Sequence, residues 1–177
     1  MKDWRYHFEQ QRPTLLALII FVAMFILYVS NHPAGFTANV VQTAANKGVL
    51  LAFVAMAETL VVLTAGIDLS VGMIFILANC VGSYVLVGAG WSTSLGVCAV
   101  LLTGLACGAL NGLIVIFGRL QPIVTTIATG AVFFGIALII RPYPGSDPAF
   151  NADFADAMTG KIFGVFPASI AVLILVV

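Results

Sequence analysis

Long runs of apolar residues, separated by short polar stretches, dominate this sequence. The runs cover residues 14–29, 50–65, 69–87, 95–117 and 122–140. Only 8% of the 177 residues are charged, whereas soluble domains average about 25%, and the mean hydropathy is +1.15. A membrane-spanning helix needs about 20 mainly apolar residues. The pattern therefore predicts an all-α fold, a polytopic transmembrane helical bundle with about five complete spanning helices.

The N-terminal segment, residues 1–13, sets the expected topology. It is polar and carries Lys2, Arg5 and Arg12 ahead of the first apolar run. Basic residues collect on the cytoplasmic side of membrane spans, and no convincing cleavage site follows the run. We therefore expect an uncleaved anchor with residues 1–13 as a cytoplasmic N-terminal tail.

The C-terminal part contains the longest polar segment and a short apolar run. Residues 141–167 are rich in Pro, Gly and Asp. The alternation of spans predicts that they form an external loop, in which residues 151–158 could form a short amphipathic helix. A sixth apolar run starts after Pro167 and reaches Val177, short of the roughly 20 residues of a span. We expect one transmembrane domain over residues 1–177, truncated in its sixth span.

A polar segment from Gly66 to Gly72 separates the second and third apolar runs and contains Asp68 and Ser70. An Asp in the middle of a spanning helix costs about 2.5–3.5 kcal/mol on insertion scales, and unsatisfied backbone groups in lipid add to that cost. The segment therefore predicts a broken or re-entrant stretch surrounded by protein or water. Asp68 can accept hydrogen bonds from backbone N–H groups at the start of the next helix, and Ser70 can do similar capping work. We favour this structural role over direct substrate binding.

Glu58 is a carboxylate inside the second apolar run. Ionisable residues within spans mark functional sites by default, so Glu58 is a candidate for a proton or cation path. It could equally face the bundle and hydrogen-bond to a neighbour, because no second titratable group is evident on its segment. Both interpretations stay open.

Gly104, Gly108 and Gly112 recur every four residues in the fourth run. Small residues at this spacing let another helix backbone approach closely, so we predict a helix-packing face. Asn111 lies beside Gly112 and is a candidate for a buried amide that ties helices together near the cytoplasmic end.

Gln121 and Pro122 open the fifth run, with Pro at a first-turn position where its missing N–H has no cost. Thr125 and Thr129 lie one helical turn apart and could line a polar path, although threonines in membrane helices commonly bond to their own backbone. The candidate substrate-path or gate residues are Glu58, Asp68, Ser70, Asn111, Gln121, Thr125 and Thr129.

The sequence lacks the common signatures of catalysis and cofactor binding. It has no GxxxxGK[ST] phosphate loop, no HExxH and no GxSxG, and His7 and His32 have no metal-ligand companions. Seven basic residues balance seven acidic ones, so nothing indicates nucleic-acid binding. We expect no catalytic residue, no metal and no cofactor, and a protein that is not an enzyme.

The break segment Gly66-Ile67-Asp68-Leu69-Ser70-Val71-Gly72 resembles the hallmark segment of the membrane permease subunits of ribose-type (monosaccharide) ABC importers. The resemblance continues in order through Asn111-Gly112, Leu120-Gln121-Pro122-Ile123-Val124-Thr125-Thr126 and Phe163-Gly164-Val165-Phe166-Pro167. It covers nearly the whole chain from Leu50 onward. The chain departs from the family pattern at Glu58, where Met or Gln is usual, and at Ala65, where Gly is common.

This resemblance implies a multi-pass permease subunit of an ATP-binding-cassette importer that translocates a monosaccharide (ribose, pentose or hexose type) across the bacterial inner membrane. It implies a second permease subunit, identical or different, separate ATPase subunits that hydrolyse ATP, and a periplasmic sugar-binding protein. Asp68 and Ser70 are then expected to fix the break, and Asn111 and Gln121 to help hold the gate geometry. Two alternatives stay open: an ion-coupled secondary transporter with Glu58 as the coupling carboxylate, and a non-functional permease fragment.

Overall fold

The computed structural model of this chain describes residues 3–33, 35–88, 92–143, 159–162 and 166–176. The predicted helix at residues 151–158 and most of the predicted external loop at 141–167 lie outside the described residues. So do residues 163–165, in the last of the segments that carry the family resemblance.

Helices make up nearly all of the described chain. They are α1 (Asp3–Asn31), α2 (Ala38–Leu63), α3 (Val71–Ser83), α4 (Thr93–Gly118), α5 (Pro122–Ile140) and α6 (Ala168–Val176). A π-helical turn, Tyr84–Gly88, extends α3. Strands β1 (Lys161–Ile162) and β2 (Phe166–Pro167) form a two-residue antiparallel pair, with Lys161 opposite Pro167. The all-α prediction is confirmed, with this short pairing as an addition.

Four helices among the described residues are long and apolar enough to cross a membrane. They are Gln11–Asn31, which lies within α1, together with α2, α4 and α5. The third predicted span differs, because the apolar helix there covers only Val71–Leu86. Residues 66–70 ahead of it are non-helical, since the polar break takes up the start of the predicted span. The polytopic membrane bundle is thus confirmed, with a third helix shorter than predicted.

The chain divides into two compact units, Met1–Lys47 and Gly48–Val177. In the first unit α1 ends at Asn31, whose side-chain Nδ2 donates to Leu27 O at 2.9 Å. The turn that follows passes through Gly35 with φ +60°, a left-handed conformation that glycine adopts without steric cost. This turn leads into the first residues of α2.

In the second unit α3 packs against both α4 and α5. The shared buried core consists of Leu77 of α3, Cys107 of α4, and Phe133 and Ala137 of α5. Helices approach closely at Gly82 of α3, where an added Cβ would lie 3.0 Å from Val100 Cγ2 of α4. Because lipid is as apolar as these side chains, such close packing is a main source of helix association in membranes. This three-helix core positions the polar break.

Candidate functional site at the break before α3

Helix α2 ends in a Schellman motif directly before the break. The Gly66 N–H donates to Val61 O at 3.1 Å, and the Ala65 N–H donates to Val62 O at 2.9 Å, which is the paired pattern of that motif. Ala65 has φ 57°, a left-handed conformation that costs a non-glycine residue about 1–2 kcal/mol. The helix therefore stops at a defined residue, and the carbonyls of Val61 and Val62 near its end accept hydrogen bonds.

Asp68 organises the start of α3 through one carboxylate oxygen. The Ser70 N–H donates to Asp68 Oδ1 at 2.7 Å, and the Ser70 hydroxyl donates to the same oxygen at 2.6 Å. The first contact is an Asx turn, in which an Asp side chain accepts from the backbone two residues on. The prediction that Asp68 accepts from a freed backbone N–H is confirmed. Ser70 lies at the N-cap position, but its side chain makes no capping bond to α3. The capping role predicted for Ser70 is therefore wrong, because its hydroxyl proton is directed to Asp68.

Two long-range hydrogen bonds tie the break to the helices on either side. The Asn111 side-chain Nδ2 of α4 donates to Ser70 Oγ at 2.7 Å. The Leu69 backbone N–H donates to Thr126 Oγ1 of α5 at 3.1 Å. We refer to Asp68, Leu69, Ser70, Asn111 and Thr126 as the anchoring network.

Burial makes the anchoring network costly to disturb. Ser70 is 0% exposed, Asn111 5% and Thr126 3%. A buried polar group that loses its partner keeps its full desolvation penalty, about 1–3 kcal/mol. Removing one member of the network is therefore expected to lower the stability of the break by more than the net free energy of one hydrogen bond.

Gly130 of α5 allows this close arrangement. A Cβ added there would lie 3.4 Å from Ser70 Cα and 3.5 Å from Ser70 Cβ. The hydrogen atom of glycine thus faces the backbone of the break directly, and a side chain longer than a methyl group has no room there. Gly130 is a packing residue of the site that the sequence interpretation did not single out.

Two buried polar atoms beside the anchoring network have no hydrogen-bond partner among the described residues. They are Asn111 Oδ1 and Thr125 Oγ1. Thr129 differs, because its hydroxyl donates to Thr125 O of its own helix at 3.0 Å. The structure buries both threonines, and the polar path predicted along them stays a prediction. Native proteins satisfy most buried polar atoms with protein or water, so these two atoms are exceptions among the described residues.

The other predicted candidates lie away from the network. Glu58 is half-buried on α2, and no described residue forms a hydrogen bond or ion pair with its carboxylate. Gln121 is the extended N-cap residue of α5, with an exposed side chain that makes no capping bond. Its backbone carbonyl accepts from the Thr125 N–H at 3.1 Å. The proposed roles of Glu58 and Gln121 stay predictions.

The predicted packing face on α4 is open in this chain. Cβ atoms added at Gly104, Gly108 and Gly112 would meet no described atom within 4 Å. Among the described glycines, Gly82, Gly96 and Gly130 lie close to a residue of another element. The packing role of Gly104, Gly108 and Gly112 stays a prediction.

Thr126 is a member of the anchoring network that the sequence interpretation did not select as a candidate. Its hydroxyl donates to Pro122 O at 2.9 Å, the ordinary bond of a helical threonine to its own backbone. The same oxygen also accepts from Leu69 of the break. The sequence indicates Thr126 only by its place in the pair Thr125-Thr126, one turn after Pro122. Which of the two threonines faces the break depends on how α5 is oriented about its axis relative to α3.

The arrangement can hold a backbone in place through hydrogen bonds. Its one ionisable member, Asp68, is already engaged by two donors of Ser70. In the part of the chain that is described, no group of three or more His, Cys, Asp or Glu side chains could hold a metal ion. The chemistry of the site is therefore hydrogen bonding around a fixed helix break.

The fold and the site together define a polytopic membrane protein in which a polar helix break is anchored to two neighbouring helices. This chain belongs to the family described as "Branched-chain amino acid transport system / permease component", which matches residues 40–177. The matched residues include the entire anchoring network.

The chain is similar to permease proteins of sugar transport systems. It is 31% identical over 156 residues to the ribose import permease protein RbsC of Escherichia coli (strain K12), which covers 88% of this chain and 46% of the relative. It is 32% identical over 154 residues to the D-allose transport system permease protein AlsC of the same strain, with coverages of 86% and 46%. It is 32% identical over 168 residues to the fructose import permease protein FruF of Bifidobacterium longum, with coverages of 92% and 47%. The chain thus spans about half the length of these relatives. No solved structure matches it.

Proposed function

We propose that this chain belongs to the permease subunit of an ATP-binding-cassette importer that carries a monosaccharide across the bacterial inner membrane. The observation that supports this most directly is its similarity, over most of its length, to permeases named for ribose, D-allose and fructose. In such a system ATP is hydrolysed by separate ATPase subunits. A periplasmic sugar-binding protein delivers the sugar, and a second permease subunit completes the pathway.

The proposed orientation places the N-terminus in the cytoplasm. The support is the basic flank of the first span, with Lys2, Arg5 and Arg12 ahead of Gln11–Asn31 or at its edge. The turn around Gly35 then lies on the periplasmic side, and α2 runs from that side toward the cytoplasm before the chain enters the break. A cysteine accessibility experiment, with one cysteine in residues 1–10 and one in the turn around Gly35, tests this orientation in intact cells.

The anchoring network supports a mechanical role in this function. Transporters that alternate access move packed bodies of helices against each other around a fixed site. Hydrogen bonds from Asn111 to Ser70 and from Leu69 to Thr126 join α4, the break and α5. We propose that these three elements move as one body during transport, with Asp68 keeping the break in a single conformation.

Reconstitution tests the proposal. The full-length permease is placed in vesicles with its ATPase and binding protein, identified by sequencing the DNA on both sides of the gene. We expect uptake of a labelled monosaccharide that requires ATP and the binding protein. Uptake that follows a proton or sodium gradient, and needs neither of these, would contradict the importer.

The role of the break is tested separately in the same system. Asp68→Asn and Ser70→Ala are expected to reduce transport, protein level or both, because each weakens the contact that fixes the start of α3. Ser30→Ala is the matched control, since the Ser30 hydroxyl only donates to Leu27 O on the exposed end of α1. Unchanged transport and unchanged protein level in both break variants would show that the network is dispensable.

The ion-coupled alternative rests on Glu58, a half-buried carboxylate without a described partner. Under that alternative Glu58→Gln removes the ion dependence of uptake, since an intramembrane carboxylate would be the coupling group. Under the importer proposal the same variant keeps ATP-driven uptake. Measuring how uptake depends on ATP and on a proton or sodium gradient, in one preparation, separates the two functions.

A further inference from the structure

A cavity of about 300 Å³ lies at the turn between α1 and α2, away from the anchoring network. It is lined by Tyr28, His32, Thr37, Asn39, Val40 and Thr43. All six belong to the first compact unit, so the cavity is formed within residues 1–47. Its volume is at the lower end of the range for small-molecule sites, about 300–1,000 Å³.

The aromatic side of the cavity is formed by Tyr28 and His32. Their ring centroids are 5.5 Å apart and the rings are tilted by 57°. They lie one helical turn apart at the end of α1, so the two rings present adjacent faces rather than a closed stack. Aromatic rings offer flat apolar surfaces, and Tyr and His each add a polar tip. This wall suits a molecule with both C–H and O–H groups.

The opposite side consists of the first turns of α2. Thr37 caps the helix, with the Val40 N–H donating to Thr37 Oγ1 at 3.4 Å. In this role the threonine oxygen accepts, and its O–H remains a donor for another group. Asn39 and Thr43 lie one turn apart on α2 and also line the cavity. Val40, which is 4% exposed, forms an apolar floor.

The lining contains no Asp, Glu, Lys or Arg side chain among the described residues. A charged ligand would therefore lack an Asp, Glu, Lys or Arg counter-ion. An apolar ligand would displace water from several donors and acceptors without replacing the lost hydrogen bonds. A neutral molecule with several hydroxyl groups and exposed C–H faces satisfies both walls. Monosaccharides have this chemistry and the appropriate size.

We propose that the cavity at the α1–α2 turn is a sugar-contact site, which holds a single neutral monosaccharide ring at the membrane surface opposite the N-terminal tail. The inference rests on the proposed function, and it adds a place where the permease itself contacts the sugar. The aromatic wall packs against the C–H face of the ring, and the Thr37 hydroxyl bonds to one of its hydroxyls. The glycerol group of a lipid has related chemistry, so the experiment separates free sugar from lipid.

Protection of an engineered cysteine tests the site without depending on transport. In the full-length permease the free cysteines Cys80, Cys98 and Cys107 are replaced by alanine, and Thr43→Cys is added as the reporter. Phe36→Cys is the matched control, because Phe36 is in the same turn, 73% exposed, and does not line the cavity. The rate of modification by a water-soluble thiol reagent is measured in vesicles of defined lipid, with and without ribose, allose or fructose.

We expect at least one of these sugars to slow modification at the reporter and not at the control. Bound sugar lowers the rate of cysteine modification by a factor of 1 + [L]/Kd, where [L] is the sugar concentration and Kd its dissociation constant. A sugar concentration of twice Kd therefore gives about threefold protection. Tyr28→Leu in the reporter background is expected to abolish protection, whereas Tyr84→Leu, an exposed tyrosine on the π turn, preserves it.

Three results would overturn the site. They are equal protection at both cysteines, absence of protection by any of the sugars, and protection that depends on the phosphatidylglycerol content of the vesicles rather than on sugar. The uptake assay keeps this inference separate from the proposed function. A permease that imports sugar with its partners, but shows no protection at position 43, refutes only the cavity.

Discussion

The side-chain amide of Asn111 donates a 2.7 Å hydrogen bond to Ser70 Oγ across 41 positions of sequence. The Ser70 hydroxyl in turn donates a hydrogen bond to Asp68 Oδ1 at 2.6 Å. The three side chains form one directional chain, amide to hydroxyl to carboxylate, which joins α4 to the residue that fixes the break. This contact joins α4 to the break, as the bond from Leu69 to Thr126 joins α5 to it.

This relationship predicts a measurable coupling between Asn111 and Ser70. Ser70→Ala and Asn111→Ala are each expected to destabilise the purified permease in a detergent unfolding assay, because each leaves its buried partner unsatisfied. The double variant should be less destabilised than the sum of the two, with a coupling of about 0.6 kcal/mol, the average for hydrogen bonds between membrane helices, and at most about 1.7 kcal/mol. Ser30→Ala is the exposed control and should shift stability by less than about 0.5 kcal/mol. Strict additivity of the two variants would show that the contact carries no energy.

Thr126 and Thr129 allow a matched comparison on one helix. Thr126→Val keeps the shape of the side chain but leaves the Leu69 N–H of the break without its acceptor. Thr129→Val removes only a bond to the carbonyl of Thr125 on the same helix. We expect Thr126→Val to lower the unfolding free energy by about 1–2 kcal/mol more than Thr129→Val, and to reduce uptake in vesicles. Equal effects of the two substitutions would contradict a special role for Thr126.

Ala65 is a position where the natural residue is suboptimal for the backbone. With φ 57° at the C-terminal end of α2, it occupies the position of a Schellman motif that usually holds glycine. Ala65→Gly is expected to stabilise the permease by about 0.5–1 kcal/mol, because it removes the steric strain of the left-handed conformation. Ala55→Gly, an exposed position inside α2, should destabilise by about 1 kcal/mol. A loss of stability in Ala65→Gly comparable to that of Ala55→Gly would refute the argument.

The features that sequence reasoning predicted correctly are those encoded locally. Helix α5 begins at Pro122 and ends at Ile140, as predicted, because Pro at the first turn and Arg141 after the apolar run mark its two ends. The Asp68 contact with the Ser70 backbone spans two residues, so the residue types alone indicate it. The start of α3 differs from the prediction by two residues, because the polar break extends to Ser70 and the helix begins at Val71.

The features that it missed depend on helix register. Leu69 and Thr126 are 57 positions apart, and whether Thr125 or Thr126 faces the break is decided by how α5 is rotated against α3. Gly130 is an ordinary glycine of an apolar run in the sequence, and only the structure shows that a Cβ added there would lie 3.4 Å from Ser70 Cα. Conversely, the regular spacing of Gly104, Gly108 and Gly112 predicted a packing face that meets no described atom. Spacing defines a face of a helix, but not its partner.

Gly130 gives a test of how closely α5 must approach the break. Gly130→Ala is expected to be tolerated, since its Cβ would lie at ordinary contact distance from Ser70 and Met73. Gly130→Leu should disrupt the break and abolish transport, because the extra carbons overlap the Ser70 backbone, and overpacking typically costs about 1–3 kcal/mol. Gly135→Leu is the control on the same helix, at a position with no atom within 4 Å. Transport by Gly130→Leu at the level of the control would show that α5 does not need to sit against the break.

The open glycine face of α4 predicts a contact outside this chain. Gly108→Leu places a large side chain where no described atom lies within 4 Å, so we expect the stability of the single permease subunit to change by less than about 0.5 kcal/mol. If the face packs against another helix of the assembled transporter, the same substitution blocks the close backbone approach that small residues allow. The yield of assembled complex, measured by size-exclusion chromatography with multi-angle light scattering, should then fall. Leu105→Ala, at an exposed position on the same helix, is the control for altered lipid contact. Normal assembly of Gly108→Leu would mean that this face contacts lipid, and the packing role predicted for the three glycines would then be wrong.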